Sequence, residues 1–475
     1  MNILDTVVRH DYCCNCGVCA AVCPRGRLQM METECGECHP ATAESCPPSC
    51  LLCRDVCPFS NESSEDGDSL GKSLFGGDAA CIHHVSMGWV RDAFVGGLAD
   101  EASRQAAASG GLASEVLCRL LEQGRIDAAI VLQPTDKRPW HCAAIAETES
   151  QVLASRGSVY HVTPLDQAIS NVLAGPDRFY AVVALPCAAK AIRLAQQRMP
   201  VLRRRIRYVL GLTCSGHRNR HFVDLLTALM GCTRGSLRYR SKRNARTGLD
   251  FRTELTTGES VRTLKMLGMF GYLWINKVGS LKSCLFCDDV FAELADATFM
   301  DAWLPEYDVD RRGTSLAISR NAEISEMLAA LFESGQCEGG RIAPERVAQS
   351  QSGVVRYRRD LLAARCRVAG ETAGYVPRKR LAICPAGSPE TDDRRVRREM
   401  AHFQAARRAL RRFHQRSFEK PAWLARWHAW RFCAAVLWLA ARYGFAGKLW
   451  EGAKFLPWKW KRRAAAGPAG SLEQG

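Results

Sequence analysis

Residues 11–24 read DYCCNCGVCAAVCP. Cys13, Cys16, Cys19 and Cys23 stand there at spacings of three, three and four, and Pro24 follows directly. A cubane 4Fe-4S cluster takes four thiolates converging on a small core. A short loop with cysteine at every third position wraps three corners, so the fourth ligand comes from elsewhere. In two-cluster ferredoxins the last cysteine of each run serves the other cluster. A second run, CPPSCLLCRDVCP, carries Cys46, Cys50, Cys53 and Cys57 before Pro58, with one extra residue in its first gap, where Pro47 stands. The two runs predict Cys13, Cys16, Cys19 and Cys57 on one cluster, and Cys46, Cys50, Cys53 and Cys23 on the other. The extra residue leaves Cys38 as a rival to Cys46. A zinc ribbon on Cys35-x2-Cys38 and Cys50-x2-Cys53 is the competing chemistry. Zinc knuckles pair two C-x2-C units, however, and have no use for overlapping triplets each closed by Cys-Pro. Cys14 and Cys35 read as spare thiols.

Four later cysteines invite the same question. Cys187 in VVALPCAAKA and Cys214 in VLGLTCSGH each follow an apolar strand pattern, and Cys284 and Cys287 form a C-x2-C in KSCLFCDDVF. Strand ends are where open α/β sheets place ligands. Two such cysteines and one knuckle suffice for a third cluster, while buried isolated cysteines are equally at home as small apolar side chains. Ser109-Gly110-Gly111 precedes a helical pattern. Glycines there let the backbone approach a ligand, and the free N–H groups of a helix start attract a diphosphate; an N-cap serine with a permissive glycine pair is the plainer reading. No G-x-G-x-x-G follows a strand and opens a helix, so a nicotinamide-binding Rossmann unit is unsupported.

These residues need a scaffold. The chain has 475 residues, which suggests two or three domains. Eleven of its 23 cysteines precede residue 58. That crowding, without a recognisable export signal, points to metal in a reducing compartment and a cytoplasmic location, with peripheral placement at the inner membrane face left open. No apolar run is long enough to span a bilayer. The net charge of +16 is uneven: residues 391–475 hold 19 Lys/Arg against 6 Asp/Glu. The basic character belongs to a tail and does not argue for nucleic-acid binding. From about residue 79, runs such as AAIVL (128–132), FYAVVAL (179–185) and RYVLGL (207–212) alternate with helical stretches at 110–124 and 219–231, which predicts α/β layers.

The order of these motifs resembles the family of coenzyme F420 hydrogenase/dehydrogenase β subunits, which includes formate dehydrogenase β subunits and 7-hydroxymethyl chlorophyll a reductase. EASRQAAASGGLASEVL (101–117) is similar to the family's arginine and Ser-Gly-Gly at a helix start. RGSVYHVTPL (156–165) is similar to its Gly-Ser-Lys-Tyr segment, and LPCAAKAIRLA to its Pro-Cys motif. CLFCDDVFAELADATFMDAW is similar to its Cys-x2-Cys-x-Asp…Gly-Asp-x-Trp block, and RRGTSLAISR (311–320) to the Gly-Thr-Ser strand after it. The resemblance runs from about residue 10 to 375. It implies an iron–sulfur flavoprotein oxidoreductase with two 4Fe-4S clusters, a third on Cys187, Cys214, Cys284 and Cys287, and FAD near Arg104, Ser109, Gly110, Gly111, Ser158 and Tyr160. Val159 stands where the family has lysine, and Met300 where it has glycine before Asp301; either can mark a different substrate. His161, His217 and Asp301 lie near the proposed site without an assigned catalytic role.

Flavin joins one-electron clusters to two-electron organic chemistry. The expected protein is an α+β ferredoxin-like two-cluster module over 1–59, a linker over 60–78, an α/β flavin-binding domain over 79–383 and a helical tail over 384–475. It would pass electrons between ferredoxin-type clusters and FAD, to or from an organic substrate or deazaflavin. Its expected partners are ferredoxin or another redox protein. The alternative is a non-catalytic subunit that only transfers electrons. The tail holds seven of eleven tryptophans, with Trp423, Trp427, Trp430, Ala434 and Trp438 at helical spacing and arginines at 426, 431 and 442. That pattern suits a membrane interface or a helical hairpin docked on the protein itself or on a partner.

Overall fold

The computed structural model describes residues 2–42, 46–47, 49–63, 65–372, 374–383 and 389–443. Its centre is an eight-stranded mixed sheet. In chain order the strands are β1 (Asp92–Leu98), β2 (Ala128–Pro134), β3 (His141–Ala146), β4 (Tyr180–Ala184), β5 (Ile206–Leu212), β6 (Ala297–Asp301), β7 (Ser315–Ser319) and β8 (Cys337–Arg341). Across the sheet they run β8-β1-β7-β6-β5-β4-β2-β3. The four central strands, β6, β5, β4 and β2, are parallel, and every flanking pairing is antiparallel. The reason is visible in β4 and β5. YAVVA and IRYVLGL are nearly continuous apolar runs, as strands covered on both faces must be.

The coverings differ. On one face helix α1 (Leu112–Glu122) lays Leu112, Val116 and Leu120 against Ala129 and Leu210. On the other, α2 (Pro186–Arg198) starts with Pro at its first position, where the lost N–H costs nothing, and packs Ala188, Ala191 and Ile192 against Ala128, Val182 and Val209. The cysteine module shares that second core through Val18, Ala20, Val56 and Phe59. It contains short helical turns at Val18–Ala21 and Leu52–Asp55 and a hairpin of Gln29–Glu32 with Cys38–Ala41. The module is therefore fused to the sheet domain rather than tethered to it. Asn61 strengthens the join: its side chain donates to the Val376 carbonyl at 2.9 Å, and its amide donates to the Tyr375 hydroxyl at 3.0 Å.

One expectation changes, and one of the two alternatives for the tail is realised. Part of the expected linker folds as a helix, Gly67–Phe75, with the Asp66 carboxylate accepting from the Ser69 amide at 2.8 Å and Leu70 and Phe75 buried. Its acidic, glycine-rich composition hid the spacing of those two apolar residues. The tail forms a hairpin of α4 (Pro389–Ser417) and α5 (Ala422–Arg442), packed on α3 (Arg220–Leu229). Leu410, Phe413, Ala429, Phe432 and Val436 share a core with Phe222 and Leu226. Arg407 of α4 reaches the cysteine module, pairing with Asp11 and with Glu37 at 2.9 Å. Trp423, Trp427, Trp430 and Trp438 face outward. Residues 444–475, with the tail's remaining tryptophans, lie outside the described residues. Among the described residues no helix is long and apolar enough to cross a membrane.

Candidate functional site

Twelve thiols gather in three groups. The charge neighbours of the Cys19 thiol are Cys16, Cys13, Cys57 and Cys53, and those of Cys57 are Cys16 and Cys53. Around Cys53 lie Cys50, Cys46 and Cys23. Cys57 thus lies beside Cys16 of the other run as well as Cys53 of its own, and Cys23 lies beside Cys53. Cys46, rather than Cys38, joins the second group: Cys38 sits in the hairpin with Arg220, Glu32 and Arg138 as its charged neighbours. Cys35 lies near Arg407 and Glu37, away from both groups.

The third group is assembled from distant segments. Cys187 stands in the first turn of α2, just beyond β4. Cys214 follows β5 by two residues. Cys284 and Cys287 lie in and after the short helix Lys282–Leu285 that precedes β6. The Cys214 thiol has Cys284, Cys187 and Cys287 as neighbours. Burial pushes the Cys57 and Cys287 thiols up to about 12, and Cys13 and Cys19 well above the usual range. Thiols so desolvated are suited to metal, which takes them as thiolates and releases their protons. Backbone N–H groups already point at sulfur: Asn15 donates to Cys13 Sγ at 3.4 Å and His217 to Cys284 Sγ at 3.3 Å. This donor set fits three cubane clusters.

A cavity of about 290 Å³ joins the first and third groups. Its wall includes Cys16 of the first group, Cys187 and Cys214 of the third, the loop at Ser109 and Gly111, and Ser158 with Tyr160. Val159 and Met300, the two departures noted in the sequence, line it as well. So does Cys14, whose thiol lies within hydrogen-bonding reach of both Cys16 and Cys187. Read as spare, Cys14 instead bridges the first and third groups.

The Ser-Gly-Gly loop is held from behind. Ser109 Oγ donates to the Thr314 carbonyl at 2.8 Å, and the Gly110 amide donates to Ser315 Oγ at 2.9 Å. A Cβ on Gly110 would stand 2.3 Å from the Gly96 carbonyl oxygen, so only glycine lets the loop cross β1. Gly111 caps α1 with φ +92°, and residues 111–114 turn the helix start, with its unpaired amides, toward the cavity. Gly110 and Arg104 do not line the cavity. The Arg104 guanidinium is consumed behind the loop by Asp310 and Glu338 at 2.8 Å each and by the Gly313 carbonyl at 2.9 Å. It holds the loop from behind and does not face the cavity.

Tyr160 is ringed by Tyr239, Trp274 and Phe270. Asp301 accepts a bidentate pair from Arg240 at 2.8 Å, and Arg240 stacks on Phe251 at 4.0 Å. His217 lines the cavity, and burial pushes its imidazole down to about 4, so it is neutral at pH 7. His161 is structural: it lies between the Tyr239 hydroxyl and the Pro139 carbonyl, 2.9 Å from each. Two further groupings, His221 with Asp224 and His414, and Asp11 with Glu37 and His39, resemble metal sites. Their carboxylates are instead engaged by Arg138 and Arg407. Arg240 carries no motif signal, because nothing local distinguishes it from the chain's other arginines.

Residues 93–170 match the family defined by the N-terminal part of the coenzyme F420 hydrogenase/dehydrogenase β subunit, and residues 177–345 match the one defined by its C-terminal part. The chain is 26% identical over 216 residues to the F subunit of the F420H2 dehydrogenase of Methanosarcina mazei, covering 44% of this chain and 54% of that protein. It is 24% identical over 227 residues to the coenzyme F420-dependent sulfite reductase of Methanocaldococcus jannaschii, covering 45% of this chain and 32% of that protein. It thus spans about half the length of the first relative and about a third of the second. A chain of the F420-reducing NiFe hydrogenase complex from Methanosarcina barkeri superposes with a TM-score of 0.47 at 17% identity, over 62% of this chain and 98% of that one.

Proposed function

The chain belongs to the family of coenzyme F420 hydrogenase/dehydrogenase β subunits, and from that premise we propose that it is an iron–sulfur flavoprotein oxidoreductase working with a redox partner protein. Cys13, Cys16, Cys19 and Cys57 hold one 4Fe-4S cluster, Cys46, Cys50, Cys53 and Cys23 a second, and Cys187, Cys214, Cys284 and Cys287 a third. FAD, when bound, converts single electrons into hydride chemistry with an organic substrate or a deazaflavin such as F420. The chain's own residues position that chemistry. Amides of the α1 start and Ser109 would hold the diphosphate. Ser158 and Tyr160 would hold the flavin ring, and Arg240 fixes Asp301 in the same cavity wall. Trp274 and Phe299 keep water from that wall.

One observation carries the reading: a single cavity touches Cys16, Cys187, Cys214, the Ser109–Gly111 loop and Tyr160 together. A cofactor there contacts two thiol groups and the helix start at once. The second reading, an electron-transfer subunit whose substrate chemistry lies in a partner, is favoured by the partial coverage of its relatives. The test is anaerobic purification with iron, sulfide and flavin quantified. The proposal expects about twelve iron atoms from three four-iron clusters and one flavin per chain. A colourless chain with stoichiometric zinc would overturn it. Reduction of bound flavin by a small hydride donor separates the enzyme from the electron-transfer reading.

A further inference from the structure

The three thiol groups differ in the charges around them. The strongest charge neighbours of Cys13, Cys19, Cys53 and Cys57 are other cysteines and, at Cys13, the Glu37 carboxylate. The third group has cations. Arg358, at the end of the helix Ser352–Arg359, is 1% exposed, and its charge reaches Cys287, Cys284 and Cys214. Arg218, also 1% exposed, reaches Cys284 and Cys214. A Cβ on Gly216 would stand 3.2 Å from Arg218 Nη1 and 3.2 Å from Arg358 Nη2, so the two guanidiniums flank the loop that follows Cys214.

Neither guanidinium has a carboxylate partner among the described residues. Arg218 donates to the carbonyls of His217 and Trp274 at 3.2 and 3.1 Å and lies 3.7 Å over the Trp274 ring. Arg358 Nε has no hydrogen-bond partner. Two acids follow the knuckle: Asp288 is occupied by Arg380 at 3.2 Å and Lys379 at 3.8 Å, and the Asp289 carboxylate accepts from the Phe291 and Glu293 amides at 2.9 and 3.0 Å. The neighbouring residue Arg359 clamps the helix to the knuckle by donating to the Asp288 carbonyl at 3.2 Å. A buried guanidinium is costly unless an anion stands beside it. Four thiolates around iron and sulfide are such an anion.

We propose that Arg358, seconded by Arg218, holds the third cluster at a higher reduction potential than the two N-terminal clusters, making it the electron sink of the relay. The inference rests on the cluster assignment above. A cubane with four thiolates gains one negative charge on reduction, and its potential follows local charge, hydrogen bonds to sulfur and solvent exposure. A fixed buried cation stabilises the more negative state. Each transfer moves one electron from an N-terminal centre to the third and breaks no bond. An external one-electron donor protein supplies the electron, and the flavin removes it. The relay therefore runs downhill from the module toward the cavity.

The test is a potentiometric titration of the anaerobically reconstituted full chain, followed by electron paramagnetic resonance and visible bleaching. The midpoint that vanishes in Cys284→Ala belongs to the third cluster. It is expected to be the highest of the three. Arg358→Gln should shift its reduced-to-oxidised ratio about tenfold toward the oxidised form, which is about 59 mV for one electron, and leave the other midpoints in place. Arg358→Lys, which keeps the charge, should restore most of that shift and guards against a merely structural effect. A third midpoint below either of the others, or one unmoved in Arg358→Gln at full iron content, overturns the inference while the cluster assignment stands. About eight iron atoms in the unaltered chain, two four-iron clusters' worth, would remove the third cluster and the inference with it.

Discussion

The N-terminal thiols and the third group reach the same kind of arrangement by opposite routes. In the module, short runs fold on themselves, and the only long-range requirement is that Cys23 and Cys57 change places between groups. In the sheet domain, Cys187, Cys214 and the 284–287 knuckle meet only because β4, β5 and β6 are neighbours in register, Val183 facing Leu210 and Leu210 facing Ala297. The module owes its thiol geometry to loop spacing, and the third group owes it to the sheet. A local arrangement tolerates change in the domain around it. One built from strand ends is as rigid as the sheet, and it can recruit buried arginines from any element that packs nearby.

The largest test of that contrast is iron content in two single variants. Cys284→Ala removes one ligand of the third group and should cost about four iron atoms, leaving the module loaded. Cys19→Ala should cost at least as many and disturb the second group as well, because Cys53 lies close to Cys19. Iron and sulfide per chain, read with far-ultraviolet circular dichroism to confirm folding, decide the matter. Loss of all iron in Cys284→Ala would show that the groups are not independent.

A smaller effect is expected where the sheet meets the cavity. Gly111→Ala places a side chain at φ +92° and its Cβ 2.7 Å from Leu98 Cδ1. The strained backbone costs roughly 1–3 kcal/mol, and the crowding adds roughly 1–3. Gly124→Ala, at φ +63° with nothing within 4 Å, carries strain without crowding. Denaturant midpoints of the two variants should therefore separate, and only Gly111→Ala should lower flavin content. Equal midpoints would mean that Leu98 yields freely and that the loop is not held as described.

Much of this is legible in the sequence. The cross-paired cysteine runs, the strands at 128–132, 179–185 and 207–212 and the helix after Gly111 follow from spacing and apolar pattern. The third group is legible only through motif order, because spacing says nothing about which strand ends are neighbours. The partners of Arg104 are not legible: a sequence shows that an arginine is near a loop, not that Asp310 and Glu338 engage it from more than 200 residues away. Arg358 lies outside any motif: its meaning comes from a helix that packs against the Cys284 knuckle. The tail divides the same way. Its helical spacing is readable, but docking against Phe222 depends on α3 presenting an apolar face, which only the fold supplies.

The finest test concerns the wall behind Tyr160, a feature the module lacks. His161 is fully buried and accepts or donates at both ring nitrogens, one toward the Tyr239 hydroxyl and one toward the Pro139 carbonyl. A carbonyl can only accept, so the ring donates to Pro139 and takes the Tyr239 proton; a second ring proton would turn that bond round, with the buried hydroxyl as acceptor. His141, 5.2 Å from it between ring centres, is pushed down to about 4 by burial. Both imidazoles sit below the ordinary value near 6.5, so the unfolded chain binds more protons than the folded one as pH falls. The stability they permit is fully present above about pH 6.5 and is lost as pH drops toward 4. For His141 alone the loss between pH 6.5 and 5.5 is about 1 kcal/mol. Denaturant unfolding at those two values should show it, and His141→Gln should flatten the dependence by that amount. An unchanged slope in the variant would mean that the ring is already charged in the folded chain, and that the wall is wetter than its packing implies.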